Sequence, residues 1–261
     1  MRENAVKRLW REGKVAYGAW LSLPSSFAAE VMAHQGYDYL CIDLQHGLID
    51  YQVAVTMLQA ISTTATTPVV RVPWNEPGII GKALDAGAYG VVIPLVNSRA
   101  EAEAAVGACR YAPDGYRSFG PLRASYYAGA DYALHANREI ACIPMIETTT
   151  ALAHIDEILS VPGIDAVYVG PADLSLTLGL APGMWHDDAS FRDAHRAIAE
   201  ACKKRGIAPG IHANAGLAAR HAEAGYQMVT ISSDVGSMAS AAGQDVRSVR
   251  GTAEGGQPAY R

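Results

Sequence analysis

The sequence predicts a (β/α)₈ barrel built as a single domain that spans residues 1–261. Short β-rich runs alternate with amphipathic helical segments along the 261 residues, and eight such runs can be counted. The runs are rich in Val and Ile, which is typical of parallel strands buried on both faces. A doubly wound open sheet is the alternative, but Ala19–Pro24 lacks the glycine-rich phosphate turn that normally follows the first strand of that fold.

The strands are predicted from apolar runs that end near a polar residue, a proline or a glycine. In chain order, these runs are Val15–Leu21, Tyr39–Leu44, Pro68–Val72, Gly90–Pro94, Ala141–Ile146, Ala166–Gly170, Ala208–His212 and Gln227–Ser232.

The helices are predicted from the amphipathic segments between these strands. The first has a capping residue, Ser25, ahead of Phe27–Glu30, and glycines that favour a left-handed C-terminal position follow several others. In chain order, the helices are Ser25–Gln35, Tyr51–Thr63, Pro77–Ala86, Arg99–Arg110, Thr149–Leu159, Asp188–Arg205 and Ala215–Glu223, and the glycines are Gly36, Gly87, Gly206 and Gly225.

Two stretches depart from this alternation. Residues 111–136, between the fourth and fifth strands, are rich in Gly, Pro, Arg and Tyr, and long ordered loops in compact domains are usually functional. The tail from Gly243 is polar and glycine-rich, so we expect it to fray or to lie on a neighbouring molecule.

Composition excludes several classes of protein. The net charge is −5 with no basic block, which argues against a nucleic-acid partner. No apolar run reaches the length of about 18 residues that a membrane span needs, and Met1–Trp10 is too charged for a signal peptide. The four cysteines are widely spaced. These features predict a reduced, cytoplasmic enzyme or binding protein.

Two carboxylates follow apolar strands. Glu147 follows Ile140–Ile146, and Asp173 follows Ala166–Ala172. A buried carboxylate must be neutralised, paired or bound to a cation. Because barrel active sites lie at the carboxyl ends of the strands, we expect the two groups to hold Mg²⁺ or Mn²⁺. The alternatives are an ion pair between Glu147 and Arg71, and a helix-capping role for Asp173.

His46 and Arg71 are the candidate catalytic residues at these strand ends. His46 follows the second strand and can serve as a general base or as a structural histidine, with Asp43 and Asp85 as candidate partners. Arg71 ends the third strand, where a guanidinium can stabilise a developing oxyanion or pair with Glu147.

Backbone N–H groups and the positions of the lysines also bear on the chemistry. The turn Gly170–Ser175 opens a short helix, whose N–H groups at Ala172 and Asp173 are candidates to bind a carboxylate. None of the five lysines lies at the carboxyl end of a strand, so imine chemistry is disfavoured and a metal must polarise the carbonyl group.

The chain resembles the 4-hydroxy-2-oxoheptanedioate aldolase family from about Gly18 to Ser233. This family comprises metal-dependent class II pyruvate aldolases of the phosphoenolpyruvate/pyruvate barrel superfamily. The resemblance is carried by the motifs Trp20-Leu-Ser-Leu, Ile42-Asp-Leu-Gln-His46, Pro68-Val-Val-Arg-Val72, Leu84-Asp-Ala-Gly-Ala88, Ile93-Pro-Leu-Val96, Arg110-Tyr-Ala-Pro-Asp-Gly-Tyr-Arg117, Ile146-Glu-Thr148 and Gly170-Pro-Ala-Asp-Leu-Ser175.

The resemblance implies a role for each candidate residue. Glu147 and Asp173 would bind the divalent ion, which is Mg²⁺ or Mn²⁺, with Co²⁺ and Zn²⁺ as alternatives. Trp20 would form a wall of the pocket, and Arg71 would contact the pyruvate C2 oxygen. His46, paired with Asp85, would transfer a proton. The N–H groups of Ala172 and Asp173 would bind the pyruvate carboxylate. The family also implies a homo-oligomer, a hexamer, in which Arg117 or Arg123 would reach an aldehyde or a neighbouring subunit.

The implied reaction is the reversible cleavage of a 4-hydroxy-2-oxo acid to pyruvate or hydroxypyruvate and an aldehyde through a metal-bound enolate, with His46 or a metal-bound hydroxide as the base. Oxaloacetate decarboxylation, an acyl-CoA lyase and a non-catalytic oxoacid-binding barrel are the alternatives. Gln45 and Met145 replace the Glu and Gln of many family members. We expect these changes to affect the substrate more than the chemistry.

Overall fold

The computed structural model describes residues 1–250 and contains the predicted closed barrel. Eight parallel strands pair in sequence order, and the last closes on the first. All eight predicted strands are confirmed to within about two residues at each end. They are β1 (Ala16–Leu21), β2 (Tyr39–Asp43), β3 (Thr67–Arg71), β4 (Gly90–Ile93), β5 (Ala141–Ile146), β6 (Ala166–Val169), β7 (Ala208–His212) and β8 (Met228–Ser233).

The seven predicted helices are present, with two modifications. The segment Thr149–Leu159 is divided at His154, and Ala215–Glu223 begins as a 3₁₀ turn at Ala215–Leu217. In chain order, all the helices of the described residues are α1 (Ala5–Arg11), α2 (Ser26–Ala33), α3 (Tyr51–Ile61), α4 (Pro77–Asp85), α5 (Arg99–Cys109), α6 (Leu122–Ala128), α7 (Tyr132–Glu139), α8 (Thr149–Ala153), α9 (Ile155–Leu159), α10 (Pro171–Thr177), α11 (Ala189–Arg205), α12 (Ala218–Glu223) and α13 (Asp234–Arg250).

The helix ends follow the sequence signals. Ser25 caps α2 by accepting a hydrogen bond from the backbone N–H of Ala28 at 3.1 Å. The four glycines predicted to end helices all have a positive φ. In this left-handed region a side chain is disfavoured. The ends of these helices therefore coincide with local capping signals in the sequence.

The stretch at 111–136, expected to be a long functional loop, contains α6 and the start of α7, and arginine side chains hold it against the barrel. The predicted tail from Gly243 is helical as far as Arg250 and does not fray there, while its contact with a neighbouring molecule stays a prediction. The rest of the predicted tail lies outside the described residues.

Large side chains fill the barrel interior below the carboxyl ends of the strands. Tyr39 and Tyr168 are fully buried, and both hydroxyl groups hydrogen-bond to Oγ1 of Thr230. Trp20 stacks on the Tyr168 ring with 5.2 Å between ring centroids. Trp20 thus forms the top layer of this packed interior, and the polar side chains at the strand ends lie around it. None of the helices in residues 1–250 has the length and hydrophobicity needed to span a bilayer.

Candidate active site

Asp43 and Arg71 form a buried, bidentate ion pair at the ends of β2 and β3. Nε of Arg71 donates to Oδ1 of Asp43 at 2.8 Å, and Nη2 donates to Oδ2 at 2.6 Å. Burial alone would raise the pKa of Asp43, but the hydrogen bonds and charge of Arg71 hold it below its usual value. The alternative of an ion pair between Arg71 and Glu147 is therefore wrong, because Arg71 pairs with Asp43 instead.

One guanidinium nitrogen of Arg71, Nη1, is left for another group. Nη1 makes no hydrogen bond to any other residue in the described part of the chain. The Arg71 guanidinium carbon lies 5.1 Å from the centroid of the Trp20 ring. Asp43 thus orients the guanidinium group of Arg71, whose free N–H groups lie close to the Trp20 ring.

Glu147 and Asp173 form the second charged group of the site. Glu147 is only 2% exposed, whereas Asp173 is exposed in the first turn of α10. Burial raises the pKa of Glu147 to about 7, and the charge of nearby Asp173 adds to this while the Leu95 N–H opposes it. The N-cap of α10 is Gly170, so the alternative in which Asp173 caps this helix is wrong.

This carboxylate pair fits a hard divalent cation. Neither carboxylate forms an ion pair with a basic side chain within residues 1–250. The same residues contain no group of three or more His, Cys, Asp or Glu side chains arranged to hold a metal. Two protein carboxylates with the remaining positions open to water or substrate are typical of Mg²⁺ and Mn²⁺ sites.

The Glu147 carboxylate is constrained on both oxygens. The backbone N–H of Leu95 donates to Oε1 at 2.8 Å. Leu95 has a φ of 53°, which is in the left-handed region that residues other than glycine rarely adopt. Nδ2 of Asn97 donates a hydrogen bond to the carbonyl oxygen of Leu95 at 3.0 Å. On the other side, a Cβ at Gly170 would lie 2.4 Å from Oε2. Glycine is needed there so that the backbone can approach the carboxylate.

His46 lies in the tight turn after β2, and its side chain is exposed. Its backbone N–H donates to Oδ1 of Asp43 at 3.2 Å. No hydrogen bond or ion pair connects its ring to Asp85 in residues 1–250. Asp85 instead accepts from Nη2 of Arg117 at 2.6 Å. The structure therefore places Asp43, not Asp85, beside the His46 backbone. The side-chain oxygen of Gln45 is buried without a hydrogen-bond partner in the described chain.

His212 lies among these strand-end residues, although the sequence analysis gave it no role. It ends β7, and its ring lies 5.2 Å from that of Trp20 at an interplanar angle of 88°. Burial, together with the positive charge of Arg71, lowers the pKa of His212 to about 4. A neutral imidazole thus lies next to Trp20 at neutral pH. Its position at the end of an apolar strand was the available signal.

Arg117 and Arg123 form hydrogen bonds within the chain, and their expected contact with an aldehyde or a neighbouring subunit stays a prediction. Arg117 donates to Asp85 and, at 3.0 Å, to the hydroxyl group of Tyr132. Arg123 donates to the carbonyl oxygens of Ala86 at 2.6 Å and Leu58 at 3.1 Å. These contacts attach residues 111–136 to the ends of α3 and α4.

The chain is similar in sequence and in fold to proteins that are already known. The family model described as HpcH/HpaI aldolase/citrate lyase matches residues 16–241. The chain is 42% identical over 248 residues to a hydroxypyruvate/pyruvate aldolase of Rhizorhabdus wittichii, covering 95% of this chain and 99% of the relative. It is 38% identical to a 4-hydroxy-2-oxo-heptane-1,7-dioate aldolase of Escherichia coli, covering 92% of each chain.

Two solved structures are similar to this chain in fold. A HpcH/HpaI aldolase/citrate lyase family protein from Burkholderia cenocepacia J2315 superposes with a TM-score of 0.88 and 36% identity, covering 95% of this chain and 99% of that one. Macrophomate synthase superposes with a TM-score of 0.83 and 26% identity, covering 94% and 88% of the two chains.

Proposed function

This chain belongs to the HpcH/HpaI aldolase/citrate lyase family, and we propose that it is a metal-dependent class II aldolase. The family makes it an enzyme of the lyase class. The proposed reaction is the reversible cleavage of a 4-hydroxy-2-oxo acid to pyruvate or hydroxypyruvate and an aldehyde. The observation that carries the proposal is the juxtaposition, at one end of the barrel, of the Glu147–Asp173 carboxylates and the Arg71–Asp43 pair.

Glu147 and Asp173 are the proposed ligands of the divalent ion. Mg²⁺ or Mn²⁺ suits their oxygen atoms, and Co²⁺ or Zn²⁺ are the alternatives. When bound, the ion supplies Lewis-acid chemistry that stabilises negative charge on the keto oxygen of the substrate. The contacts of Glu147 with the Leu95 N–H and the Gly170 backbone support this role, because groups that orient a metal ligand raise its affinity.

Arg71 is proposed to bind the C2 oxygen of the oxo acid. Its free Nη1 can donate to this oxygen while Nε and Nη2 donate to Asp43. A fixed cationic donor stabilises the enolate more than the ketone, because negative charge develops on that oxygen during cleavage. Trp20 is proposed to form the pocket wall, and the exposed N–H groups of Ala172 and Asp173 to bind the substrate carboxylate.

His46 is proposed to move the proton at the C4 hydroxyl group. Removing this proton lets the C3–C4 bond break, so that its electron pair passes to the enolate and an aldehyde leaves. Protonation of C3 then completes the reaction. The exposed ring of His46 is accessible to substrate or to an intervening water. Asp43 is proposed to hold this turn through its hydrogen bond with the His46 N–H, and Asp85 makes no hydrogen bond to His46 within residues 1–250.

We also propose that copies of the chain associate, with a hexamer as the expected assembly and the cytoplasm as the expected location. The helix α13 supports association because it leaves apolar side chains exposed along its length. Val235 is 45% exposed, Met238 59%, Val246 51% and Val249 85%. A second copy could cover this face. Light scattering should report a multimer that Met238→Asp and Val246→Asp weaken.

Exchange of the pyruvate methyl protons into deuterated water tests the proposed chemistry without knowledge of the aldehyde. The Mn²⁺- or Mg²⁺-loaded enzyme should catalyse exchange, chelation should abolish it, and restored metal should recover it. Turnover of 4-hydroxy-2-oxo acids should then exceed decarboxylation of oxaloacetate. Exchange that persists fully after chelation would contradict metal dependence, and faster turnover of oxaloacetate would favour a decarboxylase.

A further inference from the structure

We propose that His212 is a specificity-determining residue that hydrogen-bonds a hydroxyl group on C3 of the 2-oxo acid. The site would therefore prefer a hydroxypyruvate-type nucleophile over pyruvate. This inference rests on the proposed function and concerns the same site. It assigns a role to a side chain that the proposed reaction does not otherwise use.

The order of the strands determines which wall faces C3. In the closed barrel the eight strands follow in sequence order, so β1 lies opposite β5 and β2 lies opposite β6. Glu147 follows β5 and Asp173 follows β6. A 2-oxo acid whose carboxylate and keto oxygens are held near these two residues can place its C3 against Trp20 of β1. His212 ends β7, the strand next to β6, and its ring contacts that of Trp20, so it lies beside this position.

Polar groups are scarce in this aromatic wall. The Tyr168 hydroxyl group is already bonded to Thr230, and Arg71 is assigned to the keto oxygen. The indole N–H of Trp20 makes no hydrogen bond within residues 1–250, but an indole can only donate. Neither ring nitrogen of His212 has a hydrogen-bond partner among those residues. His212 is therefore the group in this wall that can accept the proton of a hydroxyl group.

The ring of His212 has the protonation state that this role requires. With its pKa lowered to about 4 by burial and by the charge of Arg71, the imidazole is neutral at neutral pH. A neutral imidazole has one N–H donor and one acceptor nitrogen, so it can satisfy both the oxygen and the proton of a hydroxyl group. The methyl group of pyruvate would leave these nitrogens without partners, which is a cost that favours the hydroxylated substrate.

Exchange of C3 protons into deuterated water, followed by proton NMR, measures this preference directly. The ratio of kcat/KM for hydroxypyruvate to kcat/KM for pyruvate is compared among the wild type, His212→Phe and His212→Asn. Phe keeps an aromatic ring against Trp20 but has no polar atom, whereas Asn restores a donor and an acceptor. Loss of one neutral hydrogen bond should lower the ratio about 2- to 10-fold in His212→Phe, with partial recovery in His212→Asn.

His34→Phe serves as the control, because His34 is exposed at the end of α2 away from the strand ends, and it should leave the ratio unchanged. If His212→Phe folds and retains the wild-type ratio, the inference is overturned while the proposed function stands. If the loaded wild type exchanges the protons of neither substrate, the proposed function fails and the inference fails with it.

Discussion

Replacing Gly170 by Ala tests whether the Glu147 carboxylate must remain where the structure places it. A Cβ at residue 170 would lie 2.4 Å from Oε2 of Glu147 and 3.1 Å from both the Glu147 Cβ and the Met145 Cε. Ordinary van der Waals contact begins at 3.4 Å, so Oε2 must move by about 1 Å. The φ of Gly170 is −93°, a value that alanine adopts readily. The effect should therefore come from the displaced carboxylate and not from the backbone.

The displacement should weaken metal binding. Moving Oε2 also strains the 2.8 Å hydrogen bond between Oε1 and the Leu95 N–H. Disturbing groups that orient a metal ligand typically lowers affinity by about 10- to 100-fold. We therefore expect the Kd of Mn²⁺ to rise by that factor, which corresponds to roughly 1.4–2.8 kcal/mol. Free Mn²⁺, measured by electron paramagnetic resonance during a titration, reports the Kd without any assay of turnover.

Gly81→Ala is the matched control. Gly81 lies in α4, and a Cβ there meets nothing within 4 Å. Alanine should stabilise this helix by about 0.5–1 kcal/mol and leave the Mn²⁺ affinity unchanged. A folded Gly170→Ala variant that binds Mn²⁺ as tightly as the wild type would refute the argument that Glu147 is held in place by its close contact with this glycine.

Three further predictions concern other parts of the molecule. His46→Ala should keep Mn²⁺ affinity but lower kcat for retro-aldol cleavage by about 10²–10⁴-fold, measured as pyruvate release; an unchanged kcat would remove His46 from the reaction. Arg117→Met should lower the free energy of unfolding in urea by about 2–4 kcal/mol, because it leaves partly buried Asp85 unpaired; a changed KM for the aldehyde with unchanged stability would contradict this. Burial lowers the pKa of both His195 and His221 from 6.5 to about 4, so both rings are neutral in the folded protein at neutral pH. The free energy of unfolding should therefore be highest above pH 6.5. It should fall by up to about 3 kcal/mol for each histidine as the pH falls towards 4. Unfolding titrations should show a shallower dependence on pH in His195→Phe, and an equal slope would be inconsistent with buried neutral histidines.

The fold and several site residues could be predicted because a parallel barrel converts a sequence pattern directly into position. Each apolar run becomes a strand, and the residue after the run lies at the carboxyl end of the barrel. Glu147, Asp173 and Arg71 were selected as candidates in this way. The predicted strand bounds needed no long-range information, because burial on both faces gives an uninterrupted apolar run.

The pairing between side chains could not be predicted, because it depends on strand register. Asp43 and Arg71 are register partners on β2 and β3, which places their side chains together. The sequence suggested Glu147 as a partner for Arg71 because it contains no direct information about this register. The left-handed Leu95, whose N–H binds Glu147, is equally unpredictable from a residue type that avoids positive φ.

Helices stabilised mainly by tertiary contacts were also missed. Gly and Pro in residues 111–136 indicate a loop, yet α6 and α7 form there. Arg123 joins α6 to the ends of α3 and α4. Arg117 attaches the same stretch to Tyr132 of α7 and to Asp85 of α4. Such long-range hydrogen bonds override the weak local propensity.

The position of a bound manganese ion tests the central claim most directly. Crystals grown with Mn²⁺ can be measured on both sides of the manganese absorption edge, so that the anomalous signal locates the ion. We predict one strong peak at coordination distance from carboxylate oxygens of Glu147 and Asp173, which Glu147→Gln removes. A peak elsewhere, or Mn²⁺ binding that is unchanged in Glu147→Gln, would contradict the proposed metal centre and the aldolase chemistry that depends on it.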